Sequence, residues 1–173
     1  MKCFCERCHK DISIDVDRAL EKFEVGSIKC DKCSYIQNRY ITETDLQLNV
    51  AISEAIYLVL TAMCLFVYDN MGDNWWLLLL IFPILACGYF GVKQASRWVY
   101  LKAPGKKKTA NKKIPEDQDK IKKTMSGQFS IFFILAFASF LIENYRSELL
   151  GGMAIITVTS FAKFYICTTN EKN

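Results

Sequence analysis

Four of the eight cysteines form two pairs with the spacing of metal ligands, both within the first 33 residues. The pairs occupy positions 5–8, Cys-Glu-Arg-Cys, and 30–33, Cys-Asp-Lys-Cys. Two residues between thiolates permit a tight turn in which both sulfurs face one ion, and two such turns complete a tetrahedral set. We therefore predict one metal site, with its ligands supplied by Cys5, Cys8, Cys30 and Cys33.

Two further residues beside the first pair, Cys3 and His9, are candidate spare ligands. The simpler interpretation, which we prefer, is that Cys3 is a free thiol and His9 a solvated turn residue. The sequence Cys5-Glu-Arg-Cys8-His9 also matches the pattern of covalent haem attachment. Haem attachment would leave the second cysteine pair unexplained, so the metal site is the favoured interpretation.

Between the two pairs, the pattern of apolar residues predicts a β-hairpin. Ile12, Ile14 and Val16 alternate with polar residues, and Phe23 and Val25 alternate further along. With its two cysteine pairs, this stretch resembles a zinc ribbon over about residues 1–42. The resemblance implies a small β-rich domain whose stability depends on its metal.

The turn residues depart from the family in one respect, because Gly often follows the second cysteine of each pair. Here His9 and Ser34 stand at those positions. Zinc is the expected occupant, since it is the usual ion of structural four-cysteine sites. Iron in a rubredoxin-like site is the alternative, because four thiolates in a tetrahedron suit either metal.

The rest of the chain is dominated by apolar stretches long enough to cross a bilayer, which needs about 20 residues. Nineteen uncharged residues separate Asp73 from Lys93, and nineteen separate Lys123 from Glu143. Two other stretches qualify if Glu54 and Lys163 are tolerated within them. We predict four transmembrane helices, with two as the fallback, at residues 49–68, 75–92, 125–142 and 149–168.

A water-soluble helical bundle is disfavoured, because its helices would show a polar stripe every three or four residues. Leu77 to Leu85 contains no polar residue. The predicted fold is an all-α integral membrane protein, with four helices as two hairpins and a small β-rich domain before them. The predicted divisions are a metal-binding domain, a first hairpin, a basic linker, a second hairpin and a tail, at residues 1–47, 49–92, 93–124, 125–168 and 169–173.

The distribution of Lys and Arg predicts the orientation in the membrane. Eleven of them lie between Lys93 and Lys123, whereas the stretch from Asp69 to Asn74 has none and the one from Glu143 to Glu148 has one. Cytoplasmic loops carry the excess of Lys and Arg. We therefore expect the central linker and both termini to be cytoplasmic, where reduced thiols favour a metal over disulfides.

Glu54 and Lys163 are the ionisable residues inside predicted spans, and such residues are functional candidates. Glu54 precedes Asp69 by 15 residues and Lys163 follows Glu148 by 15, so the two lie equally far from the outer ends of their helices. We raise the hypothesis that they form a pair. The alternative is that each side chain reaches the membrane surface independently.

The basic linker suggests contact with anionic lipid headgroups rather than with nucleic acid. It lies beside the membrane and contains no Arg or interleaved aromatic residues between 102 and 123 that could stack on bases. The residues expected to contact headgroups are Lys106, Lys107, Lys108, Lys112 and Lys113.

No catalytic combination of residues is evident, so binding is the preferred functional class. We expect a membrane-anchored adaptor or regulator whose metal-binding domain recognises a cytoplasmic or membrane protein, with homo-oligomers as a further option. A subunit of a transporter or channel, using Glu54, is the second hypothesis. An iron-containing membrane redox protein is the third.

Overall fold

The computed structural model describes residues 2–70, 79, 81–102 and 118–170. A short N-terminal domain of one helix and a two-stranded sheet precedes four long helices. The elements in chain order are α1 (Ser13–Glu21), β1 (Gly26–Lys29), β2 (Ile36–Ile41), α2 (Glu43–Asp69), α3 (Ile81–Lys102), α4 (Gln118–Leu141) and α5 (Arg146–Asn170), with a 3-10 turn at Glu143–Tyr145 before α5.

The hairpin predicted between the cysteine pairs does not form, because Ser13–Glu21 is a helix and the first strand begins only at Gly26, after Phe23 and Val25. Ile12, Val16 and Leu20 are buried at intervals of four residues, whereas Ile14 is 72% exposed. The apolar residues therefore follow the helical period, and the short alternation over residues 12–16 was misleading.

The sheet that does form is antiparallel and lies on either side of the second cysteine pair. Gly26 pairs with Ile41 and Lys29 pairs with Ile36, with an irregularity between Ser27 and Lys29. The second cysteine pair therefore sits at the end of a β-hairpin. The N-terminal domain contains a sheet, as predicted, but a smaller one and with a helix beside it.

Helix α2 is continuous from the N-terminal domain into the predicted first span. It begins with a capping box, in which the Thr42 hydroxyl accepts from the Asp45 N–H and the Asp45 carboxylate accepts from the Thr42 N–H. Its 27 residues reach about 40 Å at about 1.5 Å per residue. This exceeds the bilayer core of about 30 Å.

Three helices in the described part of the chain are long and apolar enough to cross a membrane: α2, α4 and α5. The prediction of four is corrected to three. Much of the second predicted span, over 75–92, lies outside the described residues. From Ile81 onward the helix continues to Lys102 and includes Lys93 and Arg97. Its last part is therefore polar and contacts the N-terminal domain.

The four long helices alternate in direction. On α2, Asn49 meets Ser96 of α3, and Leu60 packs so closely on Gly88 that a Cβ there would overlap it. Residues later in α2 thus contact residues earlier in α3, so the two helices are antiparallel. The same argument makes α5 antiparallel to α2, from the contacts of Glu54 with Ser160 and of Asp69 with Arg146.

The inside of the bundle holds polar as well as apolar side chains, whereas its outside carries many large apolar ones, as expected for a protein surrounded by lipid. Buried polar residues on the helices include Asn49, Glu54, Ser139, Thr157 and Ser160. Large apolar side chains face outward, among them Phe66, Phe82, Phe137 and Ile155. Such extensive exposed apolar surface is not found on soluble monomers. The arrangement indicates a membrane protein.

The N-terminal domain is packed against the helices and shares their core. Residues of α1, the cysteine pairs and β2 form one buried cluster with residues from α2, α3 and α4. The contributions from the long helices are Leu46, Val50, Tyr100 and Met125. The part of the chain that carries the four cysteines is therefore a cap on one end of the bundle.

Candidate metal centre

The two cysteine pairs form turns with nearly the same backbone geometry. In the first, the His9 N–H donates to the Cys5 carbonyl at 3.0 Å and the Cys5 N–H donates to the Lys10 carbonyl at 2.8 Å. In the second, the Ser34 N–H donates to the Cys30 carbonyl at 2.9 Å and the Cys30 N–H donates to the Tyr35 carbonyl, also at 2.9 Å. Each turn thus presents two thiols on one side.

The residues after each pair take the left-handed conformation that Gly usually supplies. His9 has φ 54° and Ser34 has φ 55°. This conformation costs about 1–2 kcal/mol for a residue with a Cβ atom. The turn is therefore formed without Gly, at a cost that cross-turn contacts and a bound ion can offset.

The four sulfurs lie close enough together to bind one ion. The Cys5 and Cys33 Sγ atoms are 3.6 Å apart, those of Cys8 and Cys30 are 3.7 Å apart, and all four lie within 4.8 Å of one another. A tetrahedral ion with bonds of about 2.3 Å would separate its sulfur ligands by about 3.8 Å. The pairs are not disulfides, which have a sulfur–sulfur bond of about 2.05 Å.

The pKa values of the Cys5 and Cys33 thiols are shifted in opposite directions. Burial raises the pKa of Cys5, but the N–H groups of Cys8 and Arg7 and the Gln37 amide outweigh it and lower the pKa to about 6. At Cys33, a backbone N–H of Tyr35 lowers the pKa, but burial and the neighbouring sulfurs raise it to about 12. Crowded thiolates repel one another, and a cation would remove that penalty.

Two contacts hold the turns together. The Lys10 Nζ donates to the Asp31 carboxylate at 2.6 and 2.8 Å across the outside of the site. Gln37 of β2 accepts from the Glu6 N–H at 3.1 Å through its side-chain oxygen. Its Nε2 is buried and meets no oxygen or nitrogen acceptor among the described residues, which leaves it to face the Cys5 sulfur.

The two candidate spare ligands occupy different environments. Cys3 is buried in the core, its N–H bonds to the Ser13 hydroxyl at 2.9 Å, and burial raises the pKa of its thiol. His9 is exposed. Neither joins the group of four converging sulfurs.

An ion pair connects the metal-binding cap to the helices. Asp17 of α1 is 6% exposed and accepts two hydrogen bonds from the Arg97 guanidinium of α3, at 3.0 and 2.8 Å. In addition, Arg39 of β2 donates to the Leu101 carbonyl at the end of α3. These contacts attach the inner side of the cap, which faces away from solvent, to α3.

The structure brings Glu54 and Lys163 into one network, with Gln128 between them. Lys163 Nζ donates to Gln128 Oε1 at 3.0 Å, and Gln128 Nε2 donates to Glu54 Oε1 at 3.2 Å. Ser160 donates to the other Glu54 oxygen at 2.5 Å. Glu54 is 0% exposed, so this is a buried carboxylate joined to a lysine through an amide rather than by direct contact.

The lysines expected to contact lipid headgroups cannot be placed. Lys106, Lys107, Lys108, Lys112 and Lys113 all lie outside the described residues.

Comparison with protein-family models, with curated proteins and with solved structures finds no match to this chain.

Several residues that complete these sites were not predicted from the sequence. Gln128 and Asp17 are the main examples, since Gln128 meets Glu54 and Asp17 meets Arg97, each more than 70 positions away. The signal for Gln128 was present: it is an amide among apolar residues at the start of a predicted span. Nothing local marked Asp17, which lies on a helix mistaken for a strand.

Proposed function

We propose that this protein is a multi-pass membrane adaptor or regulator, whose cytoplasmic cap is folded by a zinc ion and binds a cytoplasmic or membrane protein. The observation that carries the proposal is the convergence of four cysteine sulfurs within 4.8 Å. A closed four-sulfur site is typical of structural zinc, because catalytic zinc keeps one position for water or substrate.

The position of the site supports a binding role for the cap. The metal turns lie on the cap, whose other side packs on α2, α3 and α4. The cap also exposes apolar side chains that its own core does not use. Phe4, beside the first turn, is 54% exposed and Ile36, beside the second, is 49% exposed. Apolar side chains on a rigid, metal-held surface suit recognition of a protein.

The experiment uses the full chain in its membrane. Site-specific photo-crosslinkers are placed at Phe4 and Ile36, and cross-linked products are compared with those from a crosslinker at Lys22, an exposed residue after α1. We expect a discrete adduct from the first two positions, lost when Cys30→Ser is added. Equal products from all three positions, or none, would count against a partner at this surface.

Metal analysis of the same purified protein tests the identity of the ion. We expect about one zinc per chain and no visible absorption. A coloured protein with one iron per chain would instead support the redox hypothesis.

The transport hypothesis depends on Glu54 and receives less support from the geometry. Both carboxylate oxygens are hydrogen bonded and the residue is fully buried. This arrangement suits a structural link between α2, α4 and α5. Solute flux in proteoliposomes with Glu54→Gln is the measurement that would revive the transport hypothesis, if a wild-type flux were found and this change abolished it.

A further inference from the structure

A cavity of about 490 Å³ lies beneath the cap, between α3 and α4. Helix α2 forms its floor and α1 covers one end. A volume of this size is within the range of about 300–1,000 Å³ that is usual for small-molecule sites. The cavity is separate from the four cysteines and from the Glu54 network, neither of which contributes to its walls.

The walls change from polar to apolar with distance from the cap. Near the cap lie Asp17, Glu21, Asn49 and Lys93. Farther along the same helices, toward the middle of the bundle, the walls are aromatic and aliphatic; they include Tyr57, Tyr89, Phe133 and Ile134. A ligand that matches this gradient has a polar end at the cap and an apolar chain along the helices.

In the described part of the chain, side chains at the apolar end are exposed. Tyr89 is 52% exposed and Ile134 is 66% exposed, whereas Val50 on the floor is 1% exposed. Because α4 is a candidate membrane helix, the open side between α3 and α4 faces the hydrocarbon of the bilayer. A lipid chain could therefore enter sideways, without crossing the cap.

The polar end offers donors suited to a phosphate. Lys93 Nζ is 3.9 Å from Asp17 and 4.7 Å from the centre of the Tyr89 ring, but Arg97 already neutralises Asp17 with two shorter hydrogen bonds. Asn49 accepts from Ser96 with its side-chain oxygen. The Nδ2 of the same side chain is a hydrogen-bond donor. A cation and an amide donor at the same edge match a phosphodiester.

We propose that this cavity binds one glycerophospholipid from the leaflet on the side of the cap. Its phosphate lies against Lys93 and Asn49, and one acyl chain lies between α3 and α4. Glu21, exposed at the same edge, favours a headgroup that donates hydrogen bonds, such as ethanolamine. Because α1 covers the polar end, a bound lipid would contact both the cap and the helices.

Native mass spectrometry of the delipidated full-length protein tests this with phosphatidylethanolamine as the probe. We expect one bound lipid per chain and about tenfold weaker binding for Lys93→Gln, with Lys93→Arg retaining it. The matched control is Lys102→Gln, at the end of the same helix and over the Trp98 ring, which should bind as the wild type does. Ser130→Phe, which fills the cavity, should abolish binding, whereas the lipid-facing change Thr159→Phe should not.

Three outcomes would overturn the proposal. The first is no stoichiometric lipid on the wild type. The second is equal weakening by Lys93→Gln and Lys102→Gln, which would indicate general surface charge. The third is equal binding of oleic acid or diacylglycerol, which would show that the phosphate is not recognised. If Ser130→Phe does not fold, the Lys93 series and a lipid-dependent rise in the unfolding temperature, absent in Lys93→Gln, decide the question.

Discussion

The metal centre and the Glu54 network are both clusters of polar groups in an apolar setting, yet they are stabilised differently. At the candidate metal centre, four cysteine sulfurs lie within 4.8 Å of one another, which is close enough to bind one metal ion. In the network, Gln128 accepts from Lys163 and donates to Glu54, and Glu54 also accepts from Ser160. The first site could hold an ion from outside the chain, whereas the second consists of hydrogen bonds between the chain's own side chains.

The cap and the helical bundle differ in the same way in what stabilises them. The cap is too small to bury a large core of its own, so we expect a bound metal to supply much of its stability. The helices satisfy their own backbone groups and pack through polar contacts inside a lipid-facing surface. The following predictions test whether the two parts depend on different interactions.

The largest effect is expected from loss of the metal. Structural zinc binds with an apparent free energy of about 10–16 kcal/mol, so chelation or Cys30→Ser should unfold residues 2–42. Hydrogen exchange should show lost protection there and retained protection in α4 and α5. The control is Cys3→Ser, which should keep about one ion per chain; if it loses the metal as completely, Cys3 is a ligand and the assignment of four is wrong.

A smaller effect is expected from Gln128→Leu, which removes the amide between Lys163 and Glu54 and leaves a buried carboxylate with one hydrogen bond. We expect a loss of about 3 kcal/mol, because an unsatisfied buried charge is costly. Thermal unfolding in detergent measures it, with metal content unchanged. Thr159→Val, a change at an exposed neighbour, is the control. Release of the metal by Gln128→Leu would show that the two parts are not independent.

Asp17→Asn tests the connection between cap and bundle. It weakens the paired hydrogen bonds to Arg97 and should cost about 2 kcal/mol, since those bonds are charged and Asp17 is buried. Hydrogen exchange of α1 against that of α4 would show whether the cap loosens first. Asp15→Asn is the control, because its contact with Arg18 is long and exposed. Equal effects from the two changes would remove the special role assigned to Asp17.

The smallest effect is expected at the exposed bridge between Lys10 and Asp31. Lys10 lowers the pKa of Asp31, so the bridge contributes at neutral pH and its contribution disappears as the pH falls through that lowered pKa. Lys10→Gln should return the pKa of Asp31 toward its ordinary value in a carboxyl NMR titration. The unfolding temperature at pH 7 should hardly change, because exposed pairs contribute little. A large drop would show that the turns rely on this bridge rather than on the metal.

The predictions made from the sequence had different outcomes in the cap and in the helical bundle. The cysteine spacing predicted the metal site because each pair lies within one turn, where four residues fix the geometry. The membrane helices were predicted because a helix that crosses the hydrocarbon core of a bilayer needs a long apolar stretch. The described residues contain three such helices, whereas four were predicted. The strand over residues 12–16 was wrong because five residues are too few to separate the two periods.

Length, composition and local spacing therefore determined that this chain has membrane helices and one cluster of four cysteines. Only the tertiary structure decided that the cap shares a core with the bundle, that Asp17 meets Arg97, and that Gln128 lies between Glu54 and Lys163. The reason is physical. The turn around a cysteine pair and a long apolar stretch are each determined by residues adjacent in sequence. These contacts instead join helices distant in sequence, and which residues meet depends on how the helices pack.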